Sequence, residues 1–267
     1  MTIRPMTTSA LTIAGSDSGG GAGIQADLKT FAAHGVHGLS AIAALTAQHT
    51  RGVRAVHVPD VAFLRAQVEA CFDDFDVRVV KLGMLATAEV IDTVGALLDA
   101  HPRVPVVLDP VMVATSGAKL LADDALDALR TRLLPRAAIA TPNLPEAELL
   151  LGMRVDSVDA MRAAAATLRE RGAKAVLLKG GHLAGGDVID VFADADGLYE
   201  IEHPRLKLEA HGTGCTLASA IASRIALGDG LRLACITASD YVHRALVGAY
   251  RPGRSEIAVL DHFGAAR

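Results

Sequence analysis

The run at 211–216, His-Gly-Thr-Gly-Cys-Thr, places two glycines and a cysteine where a helix-compatible segment begins. The start of a helix offers unpaired backbone N–H groups and a partial positive charge, and glycines let an anion approach them closely. Cys215 would occupy the first helical turn, where the same field favours the thiolate. The run therefore predicts a phosphate-binding turn with a reactive side chain, although a buried cysteine behind a glycine turn fits the six residues equally well.

Six other groups of glycine or polar residues directly follow predicted strands. They lie at 15–27, 46–50, 83–84, 109–112, 141–146 and 179–182. In an open sheet of parallel strands the ligand binds beyond the carboxyl ends of the strands. We therefore expect these groups and the run at 211–216 to meet at one edge of the sheet.

Short apolar runs alternate with helical patterns along the chain. Strands are predicted at 11–14, 39–45, 77–82, 104–108, 137–140 and 174–178, with a hairpin of strands at 188–192 and 198–203. Helices are predicted at 22–34, 60–72, 87–100, 123–132, 145–151, 157–171, 213–227 and 231–250, with Asp60 and Thr87 as the N-caps of the second and third. This alternation predicts an α/β fold with a mostly parallel sheet that is covered by helices on both faces. We expect a flexible tail at 1–9 and a single domain at 10–267.

The composition limits the class of protein. Hydrophobic residues make up 51% of the 267 residues, aromatic residues only 3%, and the formal net charge is −4. The absence of a basic patch argues against a nucleic-acid-binding protein, and no apolar run reaches the ~18 uncharged residues of a membrane span. The three cysteines form no C-x-x-C pair, and the N-terminal run MTIRPMTTSA lacks the apolar core of a signal peptide. We therefore expect a cytoplasmic protein that binds neither nucleic acid nor membrane.

Two side chains near the predicted strand ends could recognise a flat heterocycle. The carboxamide of Gln48 presents a donor beside an acceptor, which complements an aminopyrimidine edge, and Met84 offers a soft apolar surface for a ring. Gln48 could equally be a polar loop residue, and Met84 a core residue. Asp27, inside a predicted helix, is more typical of a solvated surface charge.

Four other residues could hold nucleotide phosphates and a cation. Asp109 is a carboxylate at a strand end, where Mg²⁺ often binds through water, and Lys179 ends an apolar strand beside two glycines. Asn143 and Glu146 have the spacing of a capping box, which would also hold the pair rigidly for Mg²⁺ and phosphates. A turn, a solvated strand end and a helix cap are the purely structural alternatives.

The glycine-rich run at 21–26 satisfies the loose pattern G-x-G-x-x-A of dinucleotide-binding proteins. That pattern needs an acidic residue about 20 positions later to hold the ribose, and the run at 41–47 contains none. The chain also lacks the P-loop pattern G-x-x-x-x-G-K-[ST]. A dinucleotide oxidoreductase and a P-loop protein are therefore disfavoured.

Seven runs carry a resemblance to one known family. They are TIAGSDSGGGAGIQADLK at 12–29, TAQ at 46–48, KLGM at 81–84, LDPVM at 108–112, TPNLPE at 141–146, LKGGH at 178–182 and HGTGCT at 211–216. In this order they resemble the hydroxymethylpyrimidine/phosphomethylpyrimidine kinases of thiamine biosynthesis, in the ribokinase-like superfamily. Two runs differ from that family: 17–19 reads Asp-Ser-Gly where many members have Asp-Pro-Ser, and the tail lacks the Gly-Pro that often precedes the terminal His-Phe.

The resemblance implies a three-layer α/β/α ribokinase-like fold, ATP with Mg²⁺ as the phosphoryl donor, and a homodimer. The implied acceptors are 4-amino-5-hydroxymethyl-2-methylpyrimidine and then its monophosphate, which yields the diphosphate for thiamine biosynthesis. The implied acceptor-binding residues are Gln48, Asp27, Gly15, Met84 and Val111. Nucleotide binding is expected of Asn143, Lys179 and Thr213, metal binding of Asp109 and Glu146, and catalysis of Gly212, Thr213, Gly214, Cys215 and Lys179.

Two other functions remain open for this sequence. Some close relatives of the family phosphorylate pyridoxal or pyridoxine, so a vitamin B6 kinase is the first alternative. A non-catalytic pyrimidine sensor on the same fold is the second, although the presence of Cys215, Lys179 and Glu146 argues against it.

Overall fold

A computed structural model of the chain describes residues 8–113, 117, 120–122 and 124–266. The strands are β1 (Ser9–Asp17), β2 (His37–His49), β3 (Gly52–His57), β4 (Val77–Leu82), β5 (Val106–Leu108), β6 (Ile139–Ala140), β7 (Val176–Leu178), β8 (Val188–Asp194), β9 (Gly197–His203), β10 (Ala210–His211) and β11 (Ala258–Val259). Nine of them form one sheet in the order β3-β2-β1-β4-β5-β6-β7-β8-β9, and β10 pairs with β11. The strands from β2 to β7 in this order are parallel, whereas β3, β8 and β9 each run antiparallel to the preceding neighbour along the chain.

Helices cover both faces of the sheet. They are α1 (Gly23–Ala33), α2 (Val61–Asp74), α3 (Ala88–Asp99), α4 (Ala125–Ala128), α5 (Leu144–Leu151), α6 (Val158–Glu170), α7 (Thr213–Ala226) and α8 (Leu231–Val247). In β4 the buried Val80 and Leu82 pack into one apolar cluster with residues of α2, α3, α5 and α6, whereas Val79 packs into a second cluster with α1, α7 and α8. Because side chains alternate along a strand, this division confirms the predicted sheet with a helical layer on each face.

The central helix α7 is buried on almost every side. Alanines and serines fill its middle, and all residues from 216 to 223 are buried. Small side chains let the helix lie close to the sheet. The hydroxyls of both buried serines have partners, because Ser219 Oγ donates to Asp27 Oδ1 at 2.6 Å and Ser223 Oγ donates to Ser219 O at 2.8 Å. This packing fixes the N-terminus of α7 at the carboxyl edge of the strands.

The helix starts follow from local chemistry. Asp60 caps α2 by accepting a hydrogen bond from Ala62 N at 2.7 Å, and Thr87 caps α3 by accepting one from Val90 N at 3.3 Å. Both caps were expected from the sequence and both are confirmed.

Several predicted boundaries are wrong. Ser9, which is predicted to belong to the tail, is a buried residue of β1, and residues 1–7 of the predicted tail lie outside the described residues. β2 continues to His49 and pairs with the exposed strand β3, which is absent from the predicted strands. The helix predicted at 123–132 is α-helical only over Ala125–Ala128 and continues as a π-helical turn, and α8 ends before Gly248. Within the described residues, no helix has the length and apolar character that crossing a membrane requires.

Candidate active site

The loops at the carboxyl ends of the central strands surround a cavity of about 880 Å³. Its wall contains every predicted site residue except Asp27: Gly15, Gln48, Met84, Asp109, Val111, Asn143, Glu146, Lys179, Gly212, Thr213, Gly214 and Cys215. These residues come from the ends of β1, β2, β4, β5, β6 and β7 and from the start of α7. The parallel strands therefore bring these residues together at the edge of the sheet where ligands bind in such folds.

The turn before α7 needs glycine at position 212. Gly212 has a φ of +84°, and a Cβ on it would lie 2.0 Å from the carbonyl oxygen of Gly21. A Cβ on Gly214 would lie 3.0 Å from Lys179 Nζ. No side chain of the described residues caps α7, so its first N–H groups remain available to an anion beside a lysine.

Asp109 and Lys179 form an ion pair in the cavity wall. Lys179 Nζ donates to Asp109 Oδ1 at 3.0 Å. Burial alone would lower the pKa of Lys179, but the carboxylates of Asp109 and Glu146 outweigh it and raise that pKa, so the ammonium stays charged. The second oxygen of Asp109, Oδ2, is buried and has no hydrogen-bond partner among the described residues.

A buried carboxylate oxygen without a partner is costly, and here it fits a cation. Mg²⁺ takes oxygen ligands and commonly binds through one or two carboxylates, with water and phosphate oxygens completing its shell. The described residues contain no group of three or more His, Cys, Asp or Glu that could enclose a metal alone. The residues present therefore fit Mg²⁺ that arrives with a nucleotide.

Asn143 and Glu146 form the predicted capping box of α5. Asn143 N donates to Glu146 Oε2 at 2.8 Å, and Glu146 N donates to Asn143 Oδ1 at 2.9 Å. Burial raises the pKa of Glu146 to about 7, against the lowering effect of Lys179. The cap thus holds a partly desolvated carboxyl group rigidly beside the Asp109–Lys179 pair.

Cys215 lies partly buried in the first turn of α7. Burial raises the pKa of its thiol to about 12, and the carboxylates of Asp109 and Asp27 act in the same direction. The ammonium of Lys81 and the N–H of Gly23 lower the pKa but do not compensate. The expectation that the helix field makes Cys215 a thiolate is therefore wrong for the free protein, in which the sulfur keeps its proton.

Asp27 lies behind the cavity wall and does not line it. Its carboxylate is fully buried and accepts hydrogen bonds from Lys81 Nζ at 2.9 and 3.0 Å, from Thr12 Oγ1 at 2.6 Å and from Ser219 Oγ at 2.6 Å. The alternative of a solvated surface charge is therefore wrong, and the carboxylate does not reach the cavity in which the acceptor is expected to bind. Lys81 separates Asp27 from the cavity, because Lys81 is itself a residue of the wall.

The other end of the cavity presents one carboxamide and apolar side chains. Met84 is almost fully buried, and its sulfur would lie 3.0 Å from a Cβ on Gly15, so glycine there allows the thioether to close one wall. Val111 packs beside Met84 in a small apolar cluster. Gln48 also lines the cavity, and its carboxamide contacts His211.

Comparison with known proteins assigns the family. The sequence model of the family described as phosphomethylpyrimidine kinase matches residues 17–259. The chain belongs to the phosphomethylpyrimidine kinase family. The hydroxymethylpyrimidine/phosphomethylpyrimidine kinase of Streptomyces coelicolor is 48% identical over 253 residues, which cover 94% of this chain and 93% of that protein. The thiamine biosynthesis bifunctional protein of Geobacter sulfurreducens is 50% identical over 259 residues. The match covers 97% of this chain but only 53% of the bifunctional protein, so the chain spans about half of that relative's length.

Solved structures agree with this assignment and confirm the ribokinase-like fold. The phosphomethylpyrimidine kinase of Clostridium difficile is 41% identical and superposes with a TM-score of 0.80, covering 89% of this chain and 99% of that one. The pyridoxal kinase of Staphylococcus aureus in complex with AMP-PCP and pyridoxal is 31% identical, with a TM-score of 0.89 over 98% of this chain and 95% of that one.

Several residues of the cavity wall are not among the site residues predicted from the sequence. The end of the cavity toward α8 includes Asp190, His203, Ser239 and His243. Ser239 Oγ and His203 Nε2 are buried without hydrogen-bond partners among the described residues. These residues come from a hairpin and a helix interior and follow no parallel strand, so the strand-end rule has no means of finding them.

Proposed function

We propose that this protein transfers the γ-phosphoryl group of MgATP to the hydroxymethyl group of 4-amino-5-hydroxymethyl-2-methylpyrimidine, and then phosphorylates the monophosphate. Membership of the phosphomethylpyrimidine kinase family supports the reaction class. The observation that carries the proposal is that one cavity holds both the anion-binding turn at 212–215 and the carboxamide of Gln48. A phosphoryl donor and a flat aminopyrimidine can therefore meet in it.

The chain's own groups would act mainly by positioning and by charge. Backbone N–H groups of residues 213–215 would bind the transferring phosphoryl group, and Lys179 would offset its negative charge. Asp109 and Glu146 would hold Mg²⁺, which supplies charge neutralisation of the nucleotide phosphates when bound. Met84 and Val111 would pack on the pyrimidine ring while Gln48 hydrogen-bonds its amino-substituted edge.

Cys215 would contact the acceptor hydroxyl as a thiol. A thiol that keeps its proton cannot remove the proton of the alcohol at the start of the reaction. In a loose phosphoryl-transfer transition state the nucleophile needs little activation, and most of the rate enhancement comes from alignment and charge. The hydroxyl proton then leaves late in the step, to an oxygen of the transferred phosphoryl group, while ADP is the leaving group. The role proposed for Cys215 is therefore to orient the hydroxyl at the turn.

An ADP-release assay with MgATP tests the proposal. We expect turnover with the pyrimidine alcohol and with its monophosphate, and mass spectrometry should show products heavier by one phosphoryl group. Lys179→Met should remove most of the activity, whereas Lys174→Met, at an exposed position near the start of β7, serves as the matched control. No ADP release with either pyrimidine would reject the proposal.

A pyridoxal kinase is the second candidate, because the Staphylococcus aureus enzyme with bound pyridoxal superposes over nearly the whole chain. The higher identity to hydroxymethylpyrimidine/phosphomethylpyrimidine kinases favours the pyrimidine. Pyridoxal in the same assay separates the two candidates. A kcat/KM for pyridoxal above that for the pyrimidine alcohol would favour the second.

We further propose that the protein acts in the cytoplasm as a homodimer, which the family resemblance implies. Light scattering on the full chain at micromolar concentration tests the assembly, and a mass of one chain would reject it.

A further inference from the structure

The carboxamide of Gln48 does not stand alone in the cavity wall. His211 Nε2 lies 2.6 Å from Gln48 Nε2 and 3.3 Å from Asp17 Oδ2. Asp17 Oδ2 also accepts hydrogen bonds from Gly21 N at 3.0 Å and Ala22 N at 2.9 Å. Burial alone would raise the pKa of Asp17, but the hydrogen bonds from His211 and from backbone N–H groups outweigh it and lower that pKa, so Asp17 is an ionised acceptor.

The number of available protons shows which end of the Gln48 carboxamide is the oxygen and which is the nitrogen. Because ionised Asp17 can only accept, His211 Nε2 must carry a proton, and the carboxamide atom 2.6 Å from it must then be the carbonyl oxygen. At the other end, Thr46 Oγ1 lies 3.2 Å from the carboxamide and gives its single proton to Ser16 O at 2.9 Å. Thr46 Oγ1 is then an acceptor that faces the NH₂ group, so both ends give the same orientation.

We propose that His211 is a positioning residue that holds the Gln48 carboxamide with its carbonyl toward His211, and that this sets the preference for an amino-substituted pyrimidine edge. The proposal rests on the proposed function. In this orientation Gln48 has one carbonyl lone pair and one N–H left for a ligand. An amino group next to a ring nitrogen offers the matching donor and acceptor.

The position of His211 in the fold supports this role over direct phosphate binding. Its Nε2 proton is already shared between Gln48 and Asp17, and only 15% of its side chain is exposed. Asp17 is anchored in turn by the glycine-rich loop, which is the nearest backbone to Gly212. His211 therefore connects the Gln48 side chain to two backbone segments, the start of α7 and, through Asp17, the glycine-rich loop.

A double-mutant cycle tests the proposal through specificity. The measured quantity is the ratio of kcat/KM for the 4-aminopyrimidine alcohol to kcat/KM for the same alcohol without its amino group. We expect His211→Leu to lower this ratio by about tenfold or more, mainly through KM of the amino substrate, with KM for MgATP changed less than about twofold. His211→Gln restores a donor and should recover part of the ratio, and His57→Leu on exposed β3 is the control.

In a Gln48→Ala background His211→Leu should leave the ratio unchanged, because His211 acts through Gln48. An unchanged ratio in His211→Leu itself, with kcat lowered equally for both alcohols, would overturn the proposal and indicate a purely structural role. Additive effects in the double variant would overturn it as well.

Two further readouts separate this proposal from the proposed function. If the wild type releases no ADP with pyrimidines, calorimetric dissociation constants for the two alcohols give the same ratio, and no binding of either would overturn both ideas. A long-range ¹H–¹⁵N spectrum, assigned with His211→Gln, should show the His211 proton on Nε2. A proton on Nδ1 alone would overturn the assigned orientation even where the enzyme is active.

Discussion

At the scale of single residues, the charges around Cys215 are nearly balanced. Lys81 and Asp27 form a fully buried ion pair, so the ammonium that could stabilise a thiolate is already neutralised. Asp109 adds a negative charge on the cavity side, and burial further opposes ionisation. The ammonium of Lys81 and the N–H of Gly23 lower the pKa of the thiol, but burial and the two carboxylates outweigh them.

Cys215→Ala should therefore lower kcat by about tenfold to a hundredfold while the KM values change less than about twofold, if the side chain orients the reacting hydroxyl as we propose. Cys215→Ser keeps a hydrogen-bonding group and should retain more activity. The rate of iodoacetamide alkylation at Cys215, followed by mass spectrometry, should keep rising up to pH 10, since the thiol pKa is about 12. An alkylation rate that levels off near pH 8 would instead establish a thiolate base, provided that kcat of the wild type rises with pH in the same range and kcat of Cys215→Ser does not.

Asp27 shows which contacts cannot be predicted from local sequence, because the carboxylate that looked like a surface charge is buried in an ion pair. The helical position of Asp27 is correctly predicted, but its partner Lys81 lies 54 residues away on β4, and no local pattern encodes that contact. A buried pair of this kind costs desolvation, and removing one partner leaves a buried charge. The same limit hides the contact between His211 and Gln48, which are 163 residues apart.

At the scale of elements, the C-terminal segment supports the turn at 212–215, for which we propose anion binding. β11 pairs with β10, which ends at His211, and Val259 would contact any Cβ on Gly21. The buried His262 then reaches Thr216 on the first turns of α7, with Nε2 3.1 Å from Thr216 Oγ1. The backbone carbonyl of Leu260 accepts the other ring proton, so neutral His262 accepts the threonine proton.

This contact predicts a pH-dependent stability. Burial lowers the pKa of His262 to about 4, below the ~6.5 of an unfolded histidine, so the unfolded chain binds more protons between these values. The free energy of unfolding should therefore fall as the pH drops through this window, by up to roughly 3 kcal/mol from this residue. Urea unfolding of wild type and His262→Gln at pH 7.5, 6, 5 and 4.5 isolates the contribution, since the other histidines are common to both. Parallel curves for the two proteins would contradict it.

Element prediction succeeds where the signal is local and fails where pairing is distant. The caps at Asp60, Thr87 and Asn143 are confirmed, because each depends on residues three or fewer positions away. The strands β3, β10 and β11 are missed: β3 is exposed and lacks an apolar face, and β10 and β11 are two residues each. The expectation that residues after parallel strands line the ligand site is correct for the predicted residues that line the cavity. It cannot predict Ser239 or His203, because neither of them follows a parallel strand.

At the scale of the whole molecule, the strand order places the proposed acceptor-binding and nucleotide-binding residues on opposite sides of β5. Gln48 and Met84 come from β2 and the end of β4, whereas Asn143 and Lys179 come from beyond β6 and β7 on the other side of β5. The turn at 212–215 reaches between them, with Gly214 beside Lys179. The volume of about 880 Å³ exceeds the need of a single small pyrimidine, so donor and acceptor can occupy the cavity together.

This geometry predicts direct transfer within a ternary complex and no phosphorylated enzyme. Initial rates with both MgATP and the pyrimidine alcohol varied should give intersecting lines in double-reciprocal plots, because both ligands must bind before transfer. Incubation with γ-labelled ATP alone should leave the protein unlabelled, since Cys215 is a poor nucleophile while its thiol pKa is about 12. Parallel lines together with label retained on denatured protein would contradict direct transfer, and loss of that label in Cys215→Ala would locate the intermediate on the cysteine.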